Sequence, residues 1–584
     1  MHALRSFFIE NKKNQGEGNL DVSMITSFGL NVETLVSNTN TSSITLSGLI
    51  YSVDGNITLT TAAGDATNHE INITGGTAGA DPFIATDAGN ISFVGGEVEL
   101  ADHSNLTINS NRLAGSTSGN ISIAKAIDGT SDEDLTITAD HSTANKTDEK
   151  ITIGAIGTGD EIGKVKLDGR DGITLKGDIT LANAADADLD INGAVTIDGD
   201  LTITTDNALA GGTHEDGTID FSSTIDAHSS GGSLIIAAGD SGAGGSLTFN
   251  GAIGSTTALS GLSINASAGD IGFTLPQIGD GVDDGSGAGS TGTIAIGNTG
   301  SGDIIFGKTN AAGAGTISYL FGGDTTFKSG GGTDAFTTAG TTTIKNTTST
   351  KSITFHTGGI EIGDGEILTI ATNNGAISLQ DVKGIAANAG SDLTVSSGTA
   401  ATSLKGIGTD INDLIVDGTG TITLTGDIST ADYADGTDVG SQSYSGDVVL
   451  SGADRTLTTG GGGASFSKTI NSEANDGGSA SAARGLTINN TAGNVTVTGK
   501  IGAGANGALG ALVIGTAENA SNTGNITLSE TIGSDTAAGA ASISIGNAVT
   551  GTLTLGGIDY NSSGAQMFES DDFDLDGADI TFTS

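Results

Sequence analysis

The sequence predicts an all-β protein: a parallel β-helix, or β-solenoid, in which one short coil is stacked on the next. Three observations predict it. An arrangement reading apolar, x, apolar, x, Gly, x, apolar recurs along the chain. Only two prolines occur in 584 residues, so little interrupts a β-ladder. No segment shows sustained helical periodicity, and the helix formers Glu, Lys, Arg, Met and Gln are scarce.

Ile44, Leu46, Gly48 and Ile50 fit the arrangement. So do Ile173, Leu175, Gly177, Ile179; Leu189, Ile191, Gly193, Val195; Leu247, Phe249, Gly251, Ile253; Ile422, Leu424, Gly426, Ile428; and Val495, Val497, Gly499, Ile501. Positions spaced by two share one face of an extended strand. Three of the four carry apolar bulk and the fourth carries none. The expectation is a strand that bends at its glycine or lets a neighbouring backbone come close.

Strand starts carry a second signature, a turn pair followed by alternation. It appears at Gly55-Asn56-Ile57, Gly89-Asn90-Ile91, Gly119-Asn120-Ile121, Gly199-Asp200-Leu201, Gly493-Asn494-Val495 and Gly524-Asn525-Ile526. Gly and Asn are expected to supply positive φ for the turn. The following Thr or Ser is expected to face outward. Some units add a second strand: Leu259, Leu262 and Ile264 after Gly254, Leu509, Leu512 and Ile514 after Gly502, Ile543 and Ile545 after Gly533.

Equivalent positions such as Val495 and Ile526, Leu189 and Ile219, or Ile219 and Leu247 imply a coil of roughly 20 to 30 residues with variable loops. Ile173 to Leu189 is about half that step. At roughly 25 residues per coil and 4.8 Å between strands, the rod would be on the order of 110 Å long. The clearest loops are Gly, Ser, Ala and Asp runs at 278–292, 330–333, 460–464, 472–483 and 502–507. The organisation expected is a flexible or capping segment over 1–20 and one continuous solenoid over 21–584, with 278–292 the best candidate for an interruption. Disorder, the competing reading of a Gly-rich acidic chain, does not explain the alternating strands. A string of β-sandwiches would show a repeat near a hundred residues and bulky core aromatics. Neither is evident, and the expected core is thin, filled by stacked rows of Ile, Leu, Val and Phe.

The formal net charge is −47, with 21 Lys and Arg against 68 Asp and Glu. Nucleic acid and anionic membrane surfaces would repel such a chain. The acidity keeps a long β-stack soluble; cation binding or a saline habitat is the alternative. No cysteine means no disulfide, thiolate metal site or cysteine nucleophile. The patch Leu4 to Ile9 is too short for a signal-peptide core, and Lys12 and Lys13 lie on its wrong side. No stretch reaches transmembrane length. The expectation is a piece of a longer protein whose signal and anchor lie elsewhere.

The stretches LTFNGAIGSTTALSGLSINASAGDIGF and SYSGDVVLSGADRTLTTGGGGASFSKTINSEANDGGSASAARGLTINNTAGNVTVTGKIGAG resemble the β-strand repeats of filamentous-haemagglutinin-like and autotransporter-like bacterial surface adhesins. The resemblance extends from about residue 40 onward. It implies an elongated right-handed parallel β-helix, secretion to the cell surface, and adhesive or matrix roles. No amino-terminal secretion domain or carboxyl-terminal outer-membrane barrel of that family is recognisable.

Catalytic motifs are weak. His2, His69, His103, His141, His214, His228 and His356 are scattered without metal spacing. No Gly-x-Ser-x-Gly occurs. Gly502, Gly504 and Gly507 match a dinucleotide fingerprint that a Gly-rich chain produces by chance. Three acidic clusters offer turn oxygens of the kind a hard cation takes: Asp574, Asp576 and Asp579 around Gly577; Asp280, Asp283 and Asp284; Asp128, Asp132 and Asp134. None forms a complete calcium loop, so calcium is a possible ligand but no metal, cofactor or catalytic residue is assigned. The Asn-x-Ser/Thr triplets at Asn56, Asn72, Asn90, Asn105, Asn120, Asn494 and Asn525 follow from turn Asn before strand Ile-Thr or Val-Thr. No Trp and five Tyr equip the chain poorly for sugar stacking.

The function expected is a non-enzymatic extracellular stalk or filament presenting loops at the cell surface. Alternatives are a self-assembling surface-layer, sheath or filament subunit, and a tailspike-like polysaccharide depolymerase. Expected partners are a host or neighbouring-cell surface, or copies of the chain itself, with no nucleic acid and no membrane insertion by this segment.

Overall fold

The computed structural model describes residues 20–22, 35–36, 43–52, 55–61, 70–74, 81–87, 89–111, 119–130, 133–139, 149–182, 187–205, 217–238, 245–266, 269–274, 277–279, 289–297, 301–307, 317–330, 336–385, 390–408, 410–432, 439–473, 483–503, 507–515, 524–534, 539–576 and 579–584. The expected segment 1–20 lies outside them but for Leu20. The chain divides into two compact units, residues 1–282 with 287–304, and residues 283–286 with 305–584. Each is an all-β parallel β-helix, and no helix occurs among the described residues.

Within each unit the chain climbs through three ladders in turn. In unit 1, Ile173–Leu175 belongs to one ladder, Ile179–Thr180 to the next and Leu189–Asn192 to the third. The chain then returns to the first at Val195–Ile197, where Ile173 pairs with Val195 and Leu175 with Ile197. Unit 2 repeats the scheme: Leu393 pairs with Leu414, twenty-one residues on, and Val495 with Ile526, thirty-one on. In unit 1 the step from Ile57 to Ile91 is longer, thirty-four residues. Ile173 and Leu189 mark the first and third ladders, so the apparent half-length coil is two of the three sides of one whole coil.

Alternation does what the strand period demands. Strand after strand buries residues one and three and leaves residue two half-exposed, as in Ile121–Ile123 and Ile526–Leu528. In-register stacking turns the inward positions into apolar rows: Ile57, Ile91, Ile121, Ile151, Ile173, Val195 and Ile225 form one of them.

The recurring motif does not lie on one strand face, as its spacing suggests. It spans a corner. Its first two apolar residues end one strand, its glycine sits in the turn, and its last apolar residue opens the next ladder. All three kinds of corner carry it, each twice among the six examples. The glycine is there because the backbone of the adjacent coil fills the space of a side chain. A Cβ on Gly251 would lie 2.2 Å from the Ser223 carbonyl carbon, and one on Gly426 would lie 1.5 Å from the Lys405 oxygen.

The turn pair also works differently from expectation. Gly89, Gly119, Gly493 and Gly524 do not take positive φ, although Gly199 does, at 109°. A Cβ on any of the four would strike the backbone of a stacked glycine, 2.0–2.1 Å away. The asparagines staple coils together. Asn56 Oδ1 accepts the Asn90 N–H, Asn90 Oδ1 that of Asn120, and Asn120 Oδ1 that of Lys150, each at 2.8 Å. Asn494 and Asn525 continue the device at 2.9 Å to the N–H groups of Asn525 and Thr552. This accounts for the glycosylation-like triplets at these positions.

Aspartate takes the same role, which gives part of the acidity a structural use. Asp178, Asp200, Asp226 and Asp270 accept the N–H groups of Thr202, Ser233, Thr256 and Asp303 one coil on. Asp324 accepts the Ser352 N–H at 2.9 Å and pairs with Lys351 at 2.9 Å. Those bonds hold Asp324 below the usual aspartate range, and bonds from Ser451 and Arg484 do the same for Glu473. Such groups release protons on folding. Their stabilisation is present above the ordinary carboxylate range and is lost as pH falls through and below about 4. The urea midpoint should therefore drop between about pH 5 and pH 3. Asp324→Asn keeps an oxygen acceptor and should shrink that drop; an unchanged acid slope would count against the staples as its source.

The core holds the expected Phe rows beside the aliphatic ones, and buried tyrosines join them. Tyr319, Tyr444 and Tyr560 are fully buried, as are Phe221, Phe249, Phe306, Phe321, Phe327, Phe336, Phe355 and Phe466. In unit 1, Phe221, Phe249 and Phe273 stack in register with centroids 5.5 and 5.3 Å apart. In unit 2, Phe327 lies 4.7 Å from Phe355 and touches Phe306, Phe321 and Phe336 edge-on. A flat ring repeated at the strand spacing stacks on itself, so the parallel ladder suits aromatics as well as aliphatics.

Candidate functional site

Outward positions stack in register as strictly as inward ones, so a side chain's neighbours are set one coil away. Lysines follow an evident rule. Lys164 reaches Asp188 at 3.1 Å, Lys176 reaches Asp198 at 3.0 Å, Lys383 reaches Glu361 at 2.9 Å and Lys405 reaches Asp381 at 2.9 Å. Opposite charges on adjacent coils support the ladder; like charges oppose it.

Like charges do meet in unit 1: Asp190 stacks on Asp220, flanked by Lys166 and Asn250. One place gathers three carboxylates. Glu99, on strand Val98–Leu100, stacks on Asp128 of strand Ile127–Asp128, with Asn72 on its other side. Glu97 enters the same strand two residues earlier, beside Glu70 of the preceding coil. Glu97, Glu99 and Asp128 bring carboxylate oxygens within 4.8 Å of one another, the one such grouping among the described residues. Asp128 is only 5% exposed. Burial first, then the charges of Asp128, Glu70, Glu97 and Asp160, push the Glu99 carboxyl up to about 7.

The next coil supplies no outward side chain over Asp128. There the strand shrinks to one bridged residue, Ile156, between Ile127 and Ile179. Gly157 follows with φ 65°, and a Cβ on it would lie 2.1 Å from the Thr180 oxygen. The chain loops out over residues 157–161. Asp128 Oδ1 accepts the Gly159 N–H at 2.8 Å, and the Gly129 N–H donates to the Asp160 oxygen at 3.1 Å. The missing strand leaves a notch of about 460 Å³ lined by Thr130, Gly157 to Glu161, Thr180 and Thr204. A second notch, about 450 Å³, lies in unit 2 where Ile407 is likewise a single bridge.

No protein-family model, curated protein or solved structure matches this chain. Its chemistry is therefore read from the geometry alone. A crowded carboxylate set of this kind can hold a proton near neutral pH. Calcium takes about six to eight oxygens, and three carboxylates fall short of that shell, so no ion is assigned.

Of the acidic clusters picked from sequence, the structure separates the surroundings of Asp128 and Asp134. Asp128 faces Glu99, whereas Asp134 belongs to a staple in which its N–H donates to Asn105 Oδ1 at 2.7 Å and its Oδ1 accepts the Lys164 N–H at 3.2 Å. Asp132 lies outside the described residues, as do Asp280, Asp283 and Asp284. Asp574 and Asp576 are exposed, and Asp579 takes φ 55°; Gly577 between them is outside the described residues. His103, His228 and His356 are exposed, and the other four histidines are outside the described residues. Gly502, of the glycine fingerprint, is a corner glycine with φ 65° against the Gly539 oxygen. No helix of the described chain is long and apolar enough to cross a membrane.

Glu97 and Glu99 were missed because nothing local marks them. Aligning Ile71-Asn72-Ile73, Val98-Glu99-Leu100 and Ile127-Asp128 as equivalent strands would have placed Glu99 against Asp128.

Proposed function

We propose that this chain is an extracellular structural and adhesive element, a stalk or filament segment that presents loops at a cell surface and catalyses no reaction. One observation supports the reading. In both units the strands serve stacking: inward residues fill the core, outward residues are mostly short and polar, and corner residues staple one coil to the next. What remains for recognition is the sequence between the stacked strands, such as the Gly-, Ser- and Ala-rich stretch 474–482.

The test is retention of the labelled chain on cells from several sources, beside a variant lacking 474–482 and variants lacking other such stretches. Loss of retention with unchanged circular dichroism supports recognition by loops. Release of reducing ends from a polysaccharide would instead select the depolymerase reading.

Self-assembly is the second reading, favoured by one surface. Strands Asp572–Leu575 and Thr581–Thr583 carry Phe573, Leu575 and Phe582 in register with the core residues Leu553, Leu555 and Tyr560, yet these side chains are about half exposed. Such an apolar, strand-edged surface favours association with another β-coil. Sedimentation velocity across a concentration series separates the readings: a fixed mass fits a passive stalk, and a growing one fits an assembling subunit.

A further inference from the structure

Like charges placed in register destabilise a ladder, and several outward positions of this chain set lysine against carboxylate instead. The Glu97, Glu99 and Asp128 stack gathers three carboxylates beside a loop that the stack itself holds. We propose that this stack is a pH-sensitive clasp: with one proton shared among its carboxyls it keeps the 157–161 loop closed on strand Ile127–Asp128, and loss of that proton loosens the loop and widens the adjoining notch.

The geometry supplies each part. Glu99 is the central member, with Asp128 directly above it in register and Glu97 two residues before it. A protonated Glu99 can donate its O–H to a neighbouring carboxylate and turn repulsion into a hydrogen bond. Asp128 is the arm of the clasp, since its Oδ1 holds the Gly159 N–H. The Gly129 N–H on the Asp160 oxygen is the second tie. Every packed element brings charge of one sign: Glu70 from the coil before, Glu97 from the same strand approach, Asp128 from the coil after, and Asp160 and Glu161 from the loop. Glu133 is turned to the Thr130 N–H and hydroxyl. Lys125, at the corner before strand Ile127–Asp128, is exposed.

The direction follows from the charges. Between the ordinary glutamate range and about 7, folded Glu99 keeps a proton that the unfolded chain has released. Stability of these coils falls as pH rises across that window and levels off above it. This is opposite in sign to the aspartate staples, so the region should hold best at mildly acidic pH.

The experiment is amide hydrogen exchange with mass spectrometry on the full chain at pH 5.5 and 8.5, corrected for intrinsic exchange. Peptides covering 157–162 are expected to lose protection by about tenfold at the higher pH, the equivalent of about one pKa unit of linkage. Peptides covering the staples at Asp200 and Ser233 are expected to change little. Glu99→Gln should abolish the loss at 157–162, and Glu97→Gln should reduce it, so one poorly folding variant does not leave the question open. Equal protection at both pH values, or an undiminished loss in both variants, overturns the clasp. Protection restored at pH 8.5 by millimolar calcium, but not by sodium of equal ionic strength, would make the stack a cation site and overturn it too.

Discussion

Gly251→Ala is expected to destabilise its part of unit 1 by about 3 kcal/mol, at the upper end of overpacking costs. The methyl carbon would sit 2.2 Å from the Ser223 carbonyl carbon, 2.4 Å from its oxygen and 2.5 Å from the Thr224 nitrogen. These are backbone atoms of the adjacent coil, fixed by ladder bonds on both sides, so no side chain can swing away. The coils must part, and each lost parallel bond passes strain to its neighbours. Gly272→Ala is the control within the same unit. Gly272 is an outward strand position whose added carbon would meet nothing closer than the Leu247 oxygen at 3.7 Å. It should be neutral, or stabilising by a few tenths of a kcal/mol. A stack of coils need not unfold in one step, so the readout is local: hydrogen exchange or limited proteolysis around 223–253. Equal protection in the two variants would remove backbone contact as the reason for the corner glycines.

Phe327→Ala is expected to cost about 4 kcal/mol in unit 2. Phe327 is fully buried, stacked on Phe355 at 4.7 Å and ringed edge-on by Phe306, Phe321 and Phe336 at 5.5, 6.0 and 6.4 Å. Removing the ring leaves a cavity among side chains whose positions the ladders hold, so little collapse can fill it. Phe327→Leu should cost clearly less, about 1 to 1.5 kcal/mol, because most of the volume stays. Urea unfolding followed through tyrosine fluorescence reports on this unit, since the buried Tyr319 lies 5.1 Å from Phe306. A cost for Phe327→Ala no larger than that of Phe327→Leu would mean the aromatic cluster is not a tightly packed core.

Both effects come from features only half legible in the sequence. The glycine of the corner motif could be picked out by its recurrence, and close approach of a neighbouring backbone was one of two readings it allowed. Which reading holds depends on where the chain turns, and turning is decided by the next ladder. The same limit applies to Gly89 and Asn90. Their types suggest a turn with positive φ, but their work is vertical: one glycine is pressed against another, and one side-chain oxygen reaches an N–H a whole coil away. Phe rows in the core were expected, but which aromatic residues meet was not legible. Their burial depends on falling in one column, as Phe221, Phe249 and Phe273 do, although two dozen or more residues separate each from the next.

The candidate site was the least legible part. Sequence reasoning gathers carboxylates that are neighbours along the chain, such as Asp128, Asp132 and Asp134. A parallel β-helix makes neighbours of residues a coil apart, and that step varies: twenty residues at Leu404 and Leu424, thirty-four at Ile57 and Ile91. No fixed spacing could reveal Glu99 and Asp128 as partners.

By itself the sequence determined that this chain is built of short parallel strands in repeated coils, because period-2 alternation, corner glycines and the near absence of proline are local properties that each coil restates. Tertiary structure alone decided which coil meets which in register, and with it the aromatic columns, the staples, the lysine pairs and the crowded carboxylates. The reason is physical: alternation chooses the face of a strand, but only the hydrogen-bonded ladder chooses the residue stacked about 4.8 Å above it.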